Sequence, residues 1–416
     1  MLFAVGIYAV LGGVIGVACH NRPQDTTDAN GNRLAITPFD KHRIQSLLGD
    51  HRFTNLKEKK FGLIHEGKHL QVETSLEMPL QNFLFSRLNT TTSRHIAIIA
   101  MEPRTGRVLA MVSFDKEDAT NNLCLNSHFP AASIFKVVTA AAAIEKHHFK
   151  PNTVMTYNGK KYTLYKSQLK EKKNKWTRKI TLKDSFAQSV NPVFGKLGAL
   201  HLKRSDLMAY ADAFGFNRQI DFEIPLPPSS IIITDDPYQR AEIASGFNRI
   251  TRISPLHGAL MASAIVNSGR LIEPTIVDRI KNEKGDTIYR GKAVTVQQAI
   301  KPAGAETITG LMTETIKSGT SRKIFRGYKR DKILSRLNIG GKTGSIDNDN
   351  HDVRYDWFVG FAEEKNGSEK IVFSIVVGHE KYIGIRAAAY AKMAMKHYFK
   401  NHFAGITKKN KDNAEG

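Results

Sequence analysis

The chain has 416 residues, 61 Lys and Arg against 39 Asp and Glu, a net charge of +22 and a hydrophobic content of 41%. These values fit one large globular body or two smaller ones and exclude a disordered chain; Cys19 and Cys124 alone make neither a disulfide framework nor a metal site. The positive balance raises nucleic acid as a partner, but no helix-turn-helix, zinc spacing or RNA-binding signature accompanies it, so a solvated basic face towards an anionic membrane or wall polymer is expected.

From the amino terminus, Leu2 to Ala18 carries no charge and is just long enough to span a bilayer. A cleaved signal peptide is the alternative, but no basic segment precedes the run and no clean small-x-small site follows it. Residues 1–20 are read as a transmembrane anchor. Residues 21–70 are read as a juxtamembrane linker, beginning with the polar run Pro23 to Asn32.

A hairpin is expected over 95–114, then helical material through most of 133–325. Three strand-like runs follow in 337–378, and then a helix from Ile383 to Phe399. Early and late strands must join one antiparallel sheet flanked by helices, and the intervening helices make an all-helical lobe. The fold class is therefore α/β (α+β), with a cleft at the seam of sheet and lobe. The globular domain is assigned to 71–402. Residues 403–416, with Lys408, Lys409 and Lys411, are read as a basic disordered tail.

Three short strings carry chemistry. The first is Ser133-Ile-Phe-Lys136, opening an alanine-rich segment that is apolar nearly all round, the mark of a buried helix. Residues three apart share one helical face, and burial penalises an ammonium, so Lys136 can present a free amine to the Ser133 hydroxyl. A lysine snorkelling from a helix end is the structural alternative.

The second string is Ser189-Val-Asn191. Because Pro192 follows, Asn191 also reads as an N-cap, and a turn that caps a helix can still present Ser189 and Asn191 to a cleft. The third, Lys342-Thr343-Gly344, lies in a glycine-rich strand where something approaches the backbone closely. Lys342 and Thr343 offer a cation and a hydroxyl suited to a carboxylate.

Other features read as structural. Lys160, Lys161, Lys166, Lys170, Lys172, Lys173, Lys175, Arg178 and Lys179 make a solvated basic face. Asp347 to Asp352 lacks the glycine and the closing glutamate of a calcium loop and is read as a polar hairpin loop. His147 and His148 suit the negative end of a helix.

The order of the three strings resembles that of the penicillin-binding proteins and serine β-lactamases, the penicilloyl serine transferases. Gln71 to Gln81, Ile98 to Val112, Ala244 to Pro274 and Glu314 to Thr320 extend the likeness over roughly residues 70–400. Ala131-Ala132 departs from it, glycine being common there.

The resemblance implies a penicillin-binding transpeptidase fold and a peptidoglycan D,D-transpeptidase acting outside the cytoplasm, anchored in the cytoplasmic membrane and needing no metal or organic cofactor. Ser133 would be the nucleophile, Lys136 its base and Ser189 a proton relay. Asn191, Lys342, Thr343, Gly344 and Ser345 would hold the substrate, and the Ser133 and Ser345 N–H groups would form the oxyanion hole. Expected partners are stem peptides (a D-Ala-D-Ala donor and an amine acceptor), β-lactams as inhibitors, and a separate glycosyltransferase, since 21–70 leaves no room for such a domain. A D,D-carboxypeptidase would use the same acylation, and a catalytically silent wall-binding scaffold or β-lactam sensor is the non-enzymatic alternative. No Glu-x-x-Leu-Asn deacylation motif follows Asn191, which disfavours a β-lactamase.

Overall fold

The last two strands of the late meander and the first strand of the early hairpin carry continuous apolar runs, which a strand tolerates only when both its faces are covered. The computed structural model describes residues 26–27, 33–34, 40–49 and 53–412, with side chains over 40–49 and 53–407. Five antiparallel strands make the main sheet, in the order Leu337–Asp347, Arg354–Glu364, Lys370–His379, Ser93–Met101, Val108–Asp115.

Successive side chains alternate between the two faces. Ile96, Ile98, Phe373, Ile375 and Val377 pack with Tyr390, Met395 and Phe399 of the helix Ala387–Asp412. On the other face lies helix Pro255–Val266, buried along its whole length; a Cβ added at Gly258 would run into Ser374 and Val359. Each fully buried Ile, Val or Phe contributes roughly 1.5–3 kcal/mol, so this double-sided core holds the sheet rigid beneath the site.

Helices Lys136–His147, Leu182–Ala187, Asn191–Lys196, Arg204–Ala213 and Pro237–Ser245 form the helical lobe. Ala140 to Ala143 are fully buried, small enough for neighbouring helices to close on Lys136–His147 from several sides. That helix ends at His148, left-handed at φ 54°, with Lys146 and His147 in its last turn. Helix Pro302–Lys317 bridges the two halves, packing on both Leu337–Asp347 and Leu182–Ala187.

Two boundaries differ from the sequence expectation. The segment read as linker to residue 70 carries helix Lys41–Leu48 and the hairpin Lys60–His65 with Lys68–Thr74. That hairpin pairs with Val277–Lys281 in a second, four-stranded sheet. Ile44, Leu47 and Leu48 are buried, and the Lys41 ammonium donates to Glu273 at 2.8 Å and to the Pro274 carbonyl at 2.9 Å. The physical reason is this anchoring: an amphipathic helix whose polar end is claimed by an ion pair belongs to the body.

The second difference is the tail. The last helix runs to Asp412, past residue 403, because Phe403 is buried beside Phe399 and under the Arg336 guanidinium at 3.4 Å. Residues 413–416 lie outside the described residues. So does the expected anchor at 1–20, and of the following residues to 39 only a short ladder, Thr26–Thr27 with Arg33–Leu34, is described. Among the described residues no helix is long and apolar enough to cross a membrane.

Candidate active site

Ser133 sits in a 3-10 turn, Ala132–Phe135, that feeds the α-helix beginning at Lys136. In such a turn residues i and i+3 eclipse, which brings Lys136 Nζ to 2.8 Å from Ser133 Oγ. The turn starts from Ala132 at φ 49°, a left-handed conformation that costs an L-residue roughly 1–2 kcal/mol. The surroundings enforce it: Trp357 Nε1 donates to the Pro130 carbonyl at 3.0 Å and the Ala131 N–H to Thr251 at 2.8 Å. Gly246, left-handed at φ 66°, presses on the Ala132 carbonyl so closely that any Cβ there would collide with it.

Lys136 is fully buried while Ser133 opens to the cleft. Burial, and then the charge of Lys342, hold the Lys136 ammonium well below the usual lysine range. Its nitrogen has three neighbours: Ser133 Oγ, Asn191 Oδ1 at 2.8 Å and the Ser245 carbonyl. The last two only accept, so they take both hydrogens of a neutral amine. Its lone pair then faces the Ser133 hydroxyl. The snorkelling alternative fails, because the amine turns inward.

Asn191 is the first residue of its helix, with Val190 as the cap, and its side chain caps nothing. Its Nδ2 donates to the Tyr162 carbonyl at 3.1 Å, which fixes the amide so that Oδ1 faces Lys136. Ser189, at φ 55°, forms the tight turn between Leu182–Ala187 and Asn191–Lys196. Lys342 Nζ donates to Ser189 Oγ at 2.9 Å and to the Thr343 carbonyl at 2.8 Å. Burial brings Lys342 down to about 7.

The third string lies on Leu337–Asp347, the edge strand facing the lobe. Alternation sends Lys342 and Gly344 to the nucleophile's side. A Cβ at Gly344 would lie 3.2 Å from Ala132 Cβ and 3.3 Å from the Ser133 nitrogen, so glycine permits the close approach of strand and turn. Gly340 and Gly341 give way instead to the rings of Phe361 and Phe358. Thr343 shares a 2.6 Å hydrogen bond with Thr320 in the same cleft wall, while Ser345 Oγ accepts from Arg354 Nε at 3.0 Å.

A cleft of about 930 Å³ runs over these groups, with Ser133, Ser189, Asn191, Thr343, Gly344 and Ser345 in its walls. Arg249, Lys323, Arg354 and Arg386 line it against Asp347 and Asp356, a cationic excess that favours an anionic ligand. All eight residues singled out from the sequence therefore meet at one place.

Four contributors were missed: the Ser245 carbonyl, Gly246, Thr320 and the Tyr162 carbonyl. Thr320 closes the Glu314 to Thr320 stretch, and Ser245 and Gly246 fall at the start of the Ala244 to Pro274 stretch, but neither stretch marked them as site residues; Tyr162 had no signal at all. Away from the cleft, His95, Asp115 and Glu117 each bring one possible metal ligand within 4.8 Å of the others, but Arg94 already lies 3.5 Å from Glu117. The 347–352 segment is a hairpin loop, closed by the Asn348 N–H on the Val353 carbonyl at 2.8 Å.

Comparison with known proteins agrees with this geometry. Stage V sporulation protein D of Bacillus subtilis is 24% identical over 341 residues, covering 75% of this chain and 50% of that protein. The peptidoglycan D,D-transpeptidase PbpA of Mycolicibacterium smegmatis is 25% identical over 329 residues, covering 68% of this chain and 61% of that protein. The chain thus spans half to three-fifths of these relatives. The crystal structure of the D,D-transpeptidase domain of a peptidoglycan glycosyltransferase from Eggerthella lenta superposes with a TM-score of 0.67 at 21% identity. The match covers 91% of this chain and 95% of that one, which establishes the shared fold. The model of the penicillin binding protein transpeptidase domain matches residues 96–396, and the chain belongs to that family.

Proposed function

We propose that this chain is a peptidoglycan D,D-transpeptidase that works through a Ser133 acyl-enzyme and is acylated by β-lactams. The observation that carries the reading is the fully buried Lys136 amine, 2.8 Å from Ser133 Oγ, with its hydrogens committed elsewhere.

Ser133 Oγ attacks the carbonyl between two D-alanines as its proton passes to Lys136 Nζ. The developing oxyanion is met by the Ser133 and Ser345 N–H groups. The C–N bond breaks, the departing D-alanine amine takes a proton through Ser189, and the acyl group stays on Ser133. An acceptor amine then attacks the ester, a new amide forms, and Ser133 recovers a proton. Lys342 and Thr343 bind the donor's terminal carboxylate, Asn191 holds the donor backbone and orients Lys136, and Gly344 leaves room for close approach. The exposed edge of Leu337–Asp347 suits an extended peptide, which can pair along it.

The family relationship supports the same reading, and the names of the relatives agree with it. Residues 1–20 would anchor the chain in the cytoplasmic membrane with the catalytic body outside. A separate glycosyltransferase would make the strands it joins.

Labelled penicillin should modify Ser133, and Ser133→Ala should abolish labelling in a protein that still melts cooperatively; labelling that survives the change refutes the nucleophile. Incubation with a stem-peptide donor, with and without an acceptor amine, then separates the outcomes. Crosslinked product identifies a transpeptidase, and hydrolysis alone identifies a carboxypeptidase.

A further inference from the structure

Strands Val154–Tyr157 and Arg178–Thr181 pair antiparallel, and between them the chain makes a long excursion over residues 158–177. From 160 to 179 it carries nine Lys or Arg and one acid, Glu171. The excursion is braced from within. Gln168, buried, donates to the Asn158 carbonyl at 2.8 Å and accepts from the Tyr165 N–H at 2.9 Å. Asn158 ties both arms, donating to the Lys172 carbonyl at 2.9 Å and accepting from Thr177 at 2.8 Å. Gly159, left-handed at φ 77°, is needed because a Cβ would meet Gln168 at 2.7 Å.

This braced surface holds a second cleft, of about 430 Å³, lined by Gly159, Lys160, Lys161, Tyr162, Trp176 and Arg178. Trp176 is 72% exposed and Tyr162 62%, whereas Trp357, the other tryptophan of the chain, is completely buried. An aromatic pair left in water beside a row of cations marks an interaction site. Tyr162 also lines the main cleft, so the two hollows share a wall. Their register is fixed by the backbone: the Asn191 N–H donates to the Lys161 carbonyl at 2.7 Å and its side chain to the Tyr162 carbonyl at 3.1 Å.

We propose that the second cleft binds a carboxylate-bearing glycan chain, the strand whose peptide delivers the acceptor amine to the acyl-enzyme. The inference rests on the transpeptidase reading for the identity of that strand. The flat C–H faces of pyranose rings stack on Trp176 and Tyr162, and peptide carboxylates meet Lys160 and Arg178, the latter able to bind them through two parallel N–H groups. A polyphosphate would use the cations and leave the aromatic walls idle. A membrane surface would meet the exposed aromatics and the cations but has no ring to fill the hollow between Tyr162 and Trp176, and the vesicle arm of the test separates it.

The test uses the full chain carrying Ser133→Ala, which cannot turn over. Soluble, uncrosslinked peptidoglycan chains with pentapeptide stems are titrated against it. Because Trp357 is shielded, a saturable blue shift in tryptophan emission reports Trp176. Calorimetry should show about tenfold weaker binding after Trp176→Ala with Arg178→Gln, and a similar loss when the peptides are stripped from the glycan. Trp176→Phe should retain most of the affinity. Lys173→Gln, which removes a charge from the same excursion outside the cleft, should change it by less than about twofold. Unchanged binding in the double variant overturns the proposal. So does a Trp176 response to phosphatidylglycerol vesicles or an oligonucleotide but not to the glycan. Penicillin labelling of Ser133 in the Trp176→Ala, Arg178→Gln chain is read separately. It should match the parent, and its absence in the parent would refute the catalytic reading while the binding result stands alone.

Discussion

Lys136 and Lys342 occupy opposite walls of one cleft, equally buried, each about 5.5 Å from an aromatic ring: Phe194 at 5.5 Å and Phe186 at 5.6 Å. Desolvation penalises both ammonium forms, so burial alone does not separate their duties. Their partners do. Lys136, on the lobe, has two pure acceptors and one hydroxyl around it, an arrangement that a neutral amine satisfies completely. Lys342, on the sheet edge, donates to Ser189 and to its neighbour's carbonyl, and has no third acceptor among the described residues. Its remaining N–H suits an incoming carboxylate. Two ammonium groups do not share such a site cheaply, and the charge on Lys342 adds to burial in disfavouring the Lys136 ammonium.

The largest expected effect breaks the lobe side of this comparison. Lys136→Ala should slow β-lactam acylation by about 10²–10⁴-fold, the usual worth of a positioned base. Lys136→Arg should be no better, because a guanidinium keeps its proton at any working pH. The second-order rate of penicillin labelling measures both; a Lys136→Arg protein acylating near the parental rate would remove Lys136 as base.

The sheet side should respond differently. Lys342→Ala should lose about 10–100-fold, as expected for a carboxylate left without its charged donor, while Lys342→Arg should keep most of the rate. The structure also revises the simple picture of Lys342 as a permanent cation. With its pKa brought down to about 7 by burial, the acylation rate of the free enzyme should fall as pH rises through about 7. Lys342→Arg should abolish that alkaline limb. A parental profile flat from pH 6 to 9 would show that Lys342 titrates elsewhere or that its charge is not used.

The comparison also explains what the sequence made legible. Ser133, Lys136, Ser189, Asn191 and Lys342 could be read because each string is local and uses residue types with little other reason to be there. A lysine amid Val and Ala, three residues from a serine, is one example. The groups that complete the site are backbone atoms or side-chain-free positions, the Ser245 and Tyr162 carbonyls and Gly246, contributed from more than 25 residues away. Any residue type but proline brings the same N–H and C=O, so no pattern announces them.

The hairpin over 60–74 is a different case. Glu66 and Gly67, at φ 50° and 75°, make a two-residue turn between alternating strands, a readable signal. The boundary drawn at 71 fell inside its second strand, Lys68–Thr74. Asn191 had two compatible readings, and only its distance to Lys136 decides between them.

A smaller effect follows from the same two lysines through stability. Both have folded pKa values depressed below the ordinary lysine value, so above about pH 7 the unfolded chain binds more protons than the folded one. Stability should therefore rise with pH from about 7 towards the normal lysine range near 10.4, against any general alkaline loss. Urea midpoints of the parent and of Lys342→Met, compared from pH 6 to 9, isolate the contribution. The parent should gain on the variant as pH rises, and parallel curves would contradict a buried lysine that loses its proton.

The smallest effect concerns the turn that presents the nucleophile. Ala132 at φ 49° carries roughly 1–2 kcal/mol of left-handed strain. Ala132→Gly removes that strain, but a glycine adds about 0.5–1 kcal/mol of unfolded-chain entropy. Loss of the buried methyl, which faces Gly344, costs about 0.8 kcal/mol more. These terms nearly cancel, which is the physical reason an alanine is tolerated at this left-handed position. The urea midpoint of Ala132→Gly should thus lie within about 1 kcal/mol of the parent. Acylation should fall only a few-fold as the Ser133 hydroxyl samples a wider range beside Lys136. A loss above about 2 kcal/mol would mean that the contact of the Ala132 methyl with Gly344 outweighs the strain. The close approach of strand and turn would then depend on that methyl as well as on the missing side chain at 344.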